Sequence, residues 1–266
     1  MIVTRGSRVL GGALAVTMLG AVVSLVAQGS RQEHPGQYTQ ADIVAGSRLY
    51  GEQCASCHVP NGNAVGTVDL RRGRFRSASS DDDLKRVIAR GVPNTAMPAN
   101  PLSDAELTAV VAYLRSGLNV NSRAVMVGDA ARGRTLFAGK GQCHSCHRVK
   151  DVGPVGMAPD LTDVALLRTP QTMHQSLVDP SSVMMPINRP VRVVLRSGET
   201  IRGRRLNEDT YSIQLINQEG GRLQSILKSD VREYDILTVS PMPSYGKTLT
   251  SEEVADLVAY LQTLRG

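Results

Sequence analysis

The apolar positions change their period along the chain. Val9 to Val26 is an 18-residue stretch without a charge, apolar on every side. Leu107, Val110, Val111 and Leu114 recur at the spacing of one helical face, and Val254, Leu257, Val258 and Leu261 repeat that pattern. Both helices are announced by pairs at capping-box spacing, Ser103 with Glu106 and Thr250 with Glu253. Pro170 to Val178 reads as a further helix. Between the helices, residues 190–238 switch to a period of two. Val191, Val193 and Leu195 alternate with polar residues up to a turn at Ser197-Gly198. Ile201 to Leu206 follows, then Asn207-Glu208-Asp209 as a turn, then Tyr211, Ile213 and Leu215 in alternation. After Glu219-Gly220-Gly221, Leu223 to Leu227 and Val231 to Ile236 complete about five short strands. Strands this short and evenly spaced predict a small β-barrel, SH3-like or Sm-like.

The first apolar stretch differs from the rest in its flanks. Arg5 and Arg8 precede it and Ala27-Gln28-Gly29 closes it, so residues 1–29 read as an export signal or a retained N-terminal anchor. Either way the remainder is delivered to the periplasm or the outer face of the cytoplasmic membrane, and residues 9–26 are the candidate membrane anchor. Residues 30–41, polar with Pro35 and Gly36, read as a linker in which His34 is exposed. The formal charge of +6 falls to +4 without residues 1–29, since 28 basic side chains then face 24 acidic ones. That balance does not indicate a nucleic-acid partner. Two Phe, seven Tyr and no Trp leave little aromatic area for a core, which a large flat apolar cofactor would supply.

All four cysteines fall in two copies of one pentapeptide, Cys54-Ala55-Ser56-Cys57-His58 and Cys143-His144-Ser145-Cys146-His147. Cys-x-x-Cys-His is the attachment signature of c-type haem: two thioethers to the vinyl groups, then an imidazole for the iron. A zinc cage would need the two pairs side by side, and a thioredoxin-like redox pair has no use for the histidine. Here 85 residues separate Cys57 from Cys143. The surroundings repeat as well. Gly46-Ser47-Arg48-Leu49-Tyr50 precedes the first motif and Gly133-Arg134-Thr135-Leu136-Phe137 the second. Asp69-Leu70 and Asp160-Leu161 follow, then Met97-Pro98 and Met242-Pro243 before the capped helices, both of which contain Val-Ala-Tyr-Leu.

With these residues in place, each copy resembles a class I c-type cytochrome domain. The second resembles bacterial haem-binding domains with a β insertion: about 40 residues run from His58 to Met97, but 95 from His147 to Met242. The resemblance implies a mainly α protein with two crossed-helix domains. The expected limits are 42–118 for the first domain, 119–128 for a second linker, and 129–266 for the second domain, with the β insertion at 190–238. It also implies two covalently bound haem c groups, attached at Cys54, Cys57, Cys143 and Cys146, with His58 and His147 as proximal iron ligands. Met97 is the expected distal ligand of the first haem. For the second, Met157, Met173, Met184, Met185 and Met242 compete, and register before the last helix selects Met242 over Met185. A thioether opposite histidine raises the potential and fills the sixth site, which suits electron transfer.

Other features are secondary. His144 reads as an exposed spacer and His174 as a surface or core histidine. By the resemblance, Pro154 of Gly153-Pro154 would offer its carbonyl to the second proximal histidine, while the first copy lacks an equivalent. Arg71, Arg72, Arg74 and Arg76 are either a solvated face, a contact to a haem carboxylate or a docking patch. The expectation is therefore an exported dihaem cytochrome c that relays single electrons and is not an enzyme. Its partners would be redox proteins: a periplasmic dehydrogenase, an oxidase or another cytochrome. The rivals are a dihaem peroxidase, which needs an open sixth site, and an electron-accepting subunit of a periplasmic dehydrogenase.

Overall fold

The computed structural model of the chain describes Met1, residues 34–76 and residues 78–266. The expected export signal or anchor, residues 1–29, lies outside the described residues apart from Met1. Among the described residues there are eight α-helices and one five-stranded antiparallel sheet. No helix among them is long and apolar enough to cross a membrane.

The first half contains α1 (Gln40–Gln53), α2 (Ala55–His58), α3 (Asp81–Arg90) and α4 (Asp104–Arg115). The second contains α5 (Ala130–Ala138), α6 (Val164–Leu167), α7 (Pro170–Val178) and α8 (Ser251–Gln262). The capping boxes expected at Ser103/Glu106 and Thr250/Glu253 are formed, and Thr39/Asp42 and Ser80/Asp83 add two more. In α4 and α8 the burial exceeds one face. Every residue from Ala109 to Leu114 and from Val254 to Leu261 is buried. The reason is that α4 is covered by both α1 and α3, and α8 by α5, α6 and α7.

The two halves share one helix crossing. A Cβ on Gly46 of α1 would lie 1.9 Å from the Ala109 carbonyl oxygen and 3.0 Å from Tyr113 Cβ. A Cβ on Gly133 of α5 would lie 1.9 Å from the Asp256 carbonyl oxygen and 2.8 Å from Tyr260 Cβ. Only glycine permits backbones this close. In each half an aromatic from the N-terminal helix meets the C-terminal one edge-on, Tyr50 with Tyr113 at 5.6 Å and Phe137 with Tyr260 at 5.3 Å.

The two expected linkers are packed against each other. Tyr38 N donates to the Ala124 carbonyl and Met126 N to the Gly36 carbonyl, and Tyr38, Ala124, Val125 and Val127 are buried. Asp81 anchors this strap. Its carboxylate accepts from the Tyr38 hydroxyl at 2.7 Å, Val127 N at 2.9 Å and Arg115 Nε at 2.7 Å. Arg115 and Asp81 side chains are only 11% and 12% exposed, so removing one partner of this pair would cost about 3–5 kcal/mol. Burial, then the Asp81 charge, pushes the Tyr38 phenol far up, so that it remains a donor. His174 of α7 is fully buried and its Nε2 meets the Pro35 carbonyl at 2.6 Å, which makes it a core histidine tied to the N-terminal segment.

The inserted segment forms β1 (Pro190–Leu195), β2 (Thr200–Glu208), β3 (Ser212–Asn217), β4 (Leu223–Leu227) and β5 (Val231–Ile236), in the order β4-β3-β2-β1-β5. The number and placement of the strands match the alternation. The closed barrel does not form. β4 and β5 follow one another through the 3-10 turn Lys228–Asp230 and run along opposite edges of the sheet, with no ladder between them. Val191, Val193, Ile201, Ile213, Leu215 and Ile226 make its separate small core. A register shift between Val194 and Leu195 ends the alternation of β1, which is why Val194 is buried while Leu195 is only half-buried. Tyr211 precedes β3 and is exposed, not inward.

Candidate functional site

Each pentapeptide folds as one tight turn at the end of its leading helix. In the first, the Cys54 carbonyl accepts from Cys57 N at 3.2 Å and His58 N at 2.9 Å. In the second, the Cys143 carbonyl accepts from Cys146 N at 3.2 Å and His147 N at 2.8 Å. The same pair of hydrogen bonds places the two sulfurs and the imidazole of each motif around one turn. All four thiols are free, Cys57 and Cys146 exposed, Cys54 half-buried and Cys143 buried. Burial raises the Cys143 thiol to about 11 and pushes Cys54 up as well, so neither is an ionised nucleophile at neutral pH. Among the described residues no group of three or more His, Cys, Asp or Glu side chains is placed to hold a bare metal ion.

The candidate proximal histidines differ. His147 Nδ1 lies 2.8 Å from the Pro159 carbonyl, which leaves Nε2 as the nitrogen with a free lone pair. The resemblance pointed to Pro154, and the structure moves this role to Pro159. Gly153 has the role that the Gly-Pro pair does carry: at φ +104 its missing Cβ would lie 2.3 Å from the His147 carbonyl oxygen. His58 Nδ1 is buried without a protein partner. Burial lowers the pKa of both imidazoles, opposed at His147 by the Pro159 bond, so both are neutral near pH 7 as ligation requires. Val59, directly after His58, sits at φ +52, a strained conformation for a β-branched residue, and the Tyr50 hydroxyl holds its carbonyl at 2.7 Å.

The candidate distal methionines share a detail the sequence pattern did not reveal. Met97 N donates to the Thr95 hydroxyl at 3.2 Å, and Met242 N to the Ser240 hydroxyl at 3.1 Å. The spacing Thr/Ser-x-Met-Pro was the available signal. The Met97 loop is seated on the end of α3, where Val92 N donates to the Met97 carbonyl at 3.1 Å. A Cβ on Gly91, at φ +69, would lie 2.6 Å from that same carbonyl oxygen. Met242 packs against the second helical core, to which Cys143 belongs. Tyr245, three residues on, donates its hydroxyl to the Gly141 carbonyl at 2.6 Å and so ties the Met242 loop to the approach of Cys143. Met185 is 46% exposed, at the start of a 3-10 turn before β1.

Residues 41–114 match the family model described as cytochrome C oxidase, cbb3-type, subunit III. The first half contains a c-type cytochrome domain. Such a domain is helical, implies covalently bound haem c and electron transfer with redox partner proteins, and is typically extracytoplasmic. No curated protein matches the chain. Among solved structures, the Kuenenia stuttgartiensis reducing HAO-like protein complex is 18% identical, over 88% of this chain and 100% of that one. Its TM-score of 0.26 makes it too remote to bear on the fold.

The residues fit a haem on the turn geometry and the donor set: free thiols three apart, a neutral imidazole next to the second, and a methionine before the last helix. Two other histidines stand apart from that set. His144 is half-buried, edge-on to Phe137 at 4.7 Å, and not the exposed spacer its position suggested. It borders a cavity of about 630 Å³ beside Ala131, Arg134 and Tyr260, while His174 belongs to the core. Arg71, Arg72, Arg74 and Arg76 are exposed, the first three on a turn closed by Asp69 and Arg74 and Arg76 just beyond it, and Arg72 also reaches Asp69 at 3.7 Å. Two residues gave no sequence signal at all: Pro159, and Arg204 of β2, whose guanidinium reaches the loop after the second motif.

Proposed function

We propose that this chain is an exported dihaem cytochrome c that relays single electrons between periplasmic redox partners. Cys54 and Cys57 would attach the first haem and Cys143 and Cys146 the second, with His58 and Met97, then His147 and Met242, as the axial pairs. The observation that carries this reading is the duplication itself. Both motifs make the same two hydrogen bonds from their first cysteine, both follow a helix crossed through glycine, and both methionines rest on a hydroxyl two residues upstream. Duplicated hydrogen bonding at this level supports duplicated chemistry. A haem at each site supplies an Fe(III)/Fe(II) couple. The chain supplies the axial ligands, the apolar enclosure and, through the strap at residues 34–38 and 119–128, a packed junction between the halves. The limits 42–118 and 129–266, with the open five-stranded sheet inserted at 190–238, belong to the same proposal.

A methionine in each sixth position favours a relay over a peroxidase, whose iron must stay open to substrate. The description of the family model that matches residues 41–114 favours a terminal oxidase over a dehydrogenase as the partner class. The test is stoichiometry with ligation. The mature wild-type protein should carry two haems, both low-spin, and Cys54→Ala/Cys57→Ala should carry one. One haem per wild-type chain defeats the dihaem reading, and a high-spin oxidised haem defeats the relay.

A further inference from the structure

Arg204 is unusual among the arginines of this chain. It sits in β2, opposite Pro190 of β1 and Ile216 of β3. Its guanidinium turns away from the sheet and donates to the Gly156 carbonyl at 3.1 Å and to Asn188 Oδ1 at 3.3 Å. Nε is buried with no protein partner. Among the described residues no carboxylate pairs with it, so a charge that cannot be lost at neutral pH is held by neutral acceptors alone. Burial disfavours its charged form.

The sheet grips the same loop at further points. A Cβ on Gly156 would lie 3.3 Å from Ile216 Cγ1 of β3, and one on Gly221, between β3 and β4, 3.5 Å from Met157 Cε. Three residues after Gly156 comes Pro159, whose carbonyl accepts from His147 Nδ1. Among the described residues the first half has no inserted sheet and no such arginine, and His58 Nδ1 is left without a protein partner.

We propose that the inserted sheet is a potential-setting module for the second haem, in which Arg204 holds a fixed positive charge on the proximal side of His147 and raises that haem's reduction potential. The proposal rests on the reading of His147 as an iron ligand. Ferric haem carries one more positive charge than ferrous haem, so a nearby cation disfavours the oxidised form. Reduction takes one electron from a redox partner or the first haem, and no proton moves because the guanidinium stays charged. At an effective dielectric of about 20, a unit charge within roughly 10 Å of an iron changes its ferrous-to-ferric ratio on the order of tenfold. For a one-electron couple that is about 59 mV.

The experiment is a potentiometric titration, followed by haem spectra, of the full haem-loaded chain as wild type, Arg204→Gln and Arg204→Lys. Arg204→Gln should keep both haems and lower one of the two midpoint potentials by about 59 mV, a tenfold change, leaving the other in place. Arg204→Lys keeps the charge without the fork and should retain most of the wild-type value. Two unchanged potentials in Arg204→Gln overturn the proposal. So does Arg204→Lys falling as far as Arg204→Gln, because the charge would then not be the cause. A wild type without haem on Cys143 and Cys146 fails the dihaem reading, and the proposal with it, before any variant is made.

Discussion

Replacing Gly91 by alanine tests how the Met97 loop is held. Gly91 ends α3 at φ 69 and ψ −169, a region essentially restricted to glycine, where any other residue carries about 1–3 kcal/mol of strain. A Cβ there would lie 2.6 Å from the Met97 carbonyl oxygen, 2.6 Å from Pro98 C and 2.8 Å from Ala99 N. All three are backbone atoms, so no side-chain rotation relieves the clash, and forced overpacking adds about 1–3 kcal/mol. Pro98 and Ala99 are exposed, so the cheaper response is for the loop to lift away from α3. That move breaks the Val92–Met97 hydrogen bond and carries the Met97 thioether outward. Gly91→Ala should therefore lose the iron–thioether charge-transfer band of the first haem and lower Tm by about 4–24 °C, for about 2–6 kcal/mol at about 2–4 °C per kcal/mol for a chain of this size. The control is Gly51→Ala, an exposed helix position where a Cβ meets nothing within 4 Å, which should gain about 0.5–1 kcal/mol. Optical spectroscopy and calorimetry read both outcomes. If Gly91→Ala keeps the band and its Tm stays within about 1 °C of wild type, the seating of Met97 on α3 is refuted.

Two further outcomes follow from named contacts. Met242→Ala should convert the second haem to a weaker sixth ligand with a lower potential, while Met185→Ala should leave spectrum and potential unchanged; the reverse pattern reassigns the ligand. Glu208, paired with Lys228 at 2.8 Å and also bonded by Tyr234 and Arg205, is held down to about 2 from its ordinary 4.5. Its contribution to the sheet is thus complete above about pH 4.5 and fades as pH falls towards 2. Hydrogen exchange at Ile213–Leu215 should accelerate across that window in wild type and lose this pH dependence in Glu208→Gln.

What could be read along the chain was what local geometry writes there. Two thioether positions and an imidazole on one turn need residues i, i+3 and i+4, so the spacing names the chemistry without a fold. Helix caps lie within four residues of what they cap, and strands alternate every second residue, so the helices that contain Leu107 and Val254 and the strands of the insertion were legible in place. The glycines of the helix crossings, Gly46 and Gly133, stood out as a repeat, although only the packed helices explain them. The rest was decided by contacts between distant segments. Pro159 and Pro154 both follow the second motif, and only the path of the loop brings the Pro159 carbonyl to His147. The strap looked like two linkers because each segment is short and lies outside the repeated units; pairing with each other across some 85 residues is what buries Tyr38 and Val125. Val194 and Leu195 exchanged faces through a register shift that alternation cannot signal. The sheet stayed open because a strand pattern sets pleat and length, while closure depends on how far the edge strands curl towards each other. Arg204 had no local signal for the same reason: a buried charge is defined by what folds over it, and the loop it grips lies 48 residues away in the chain.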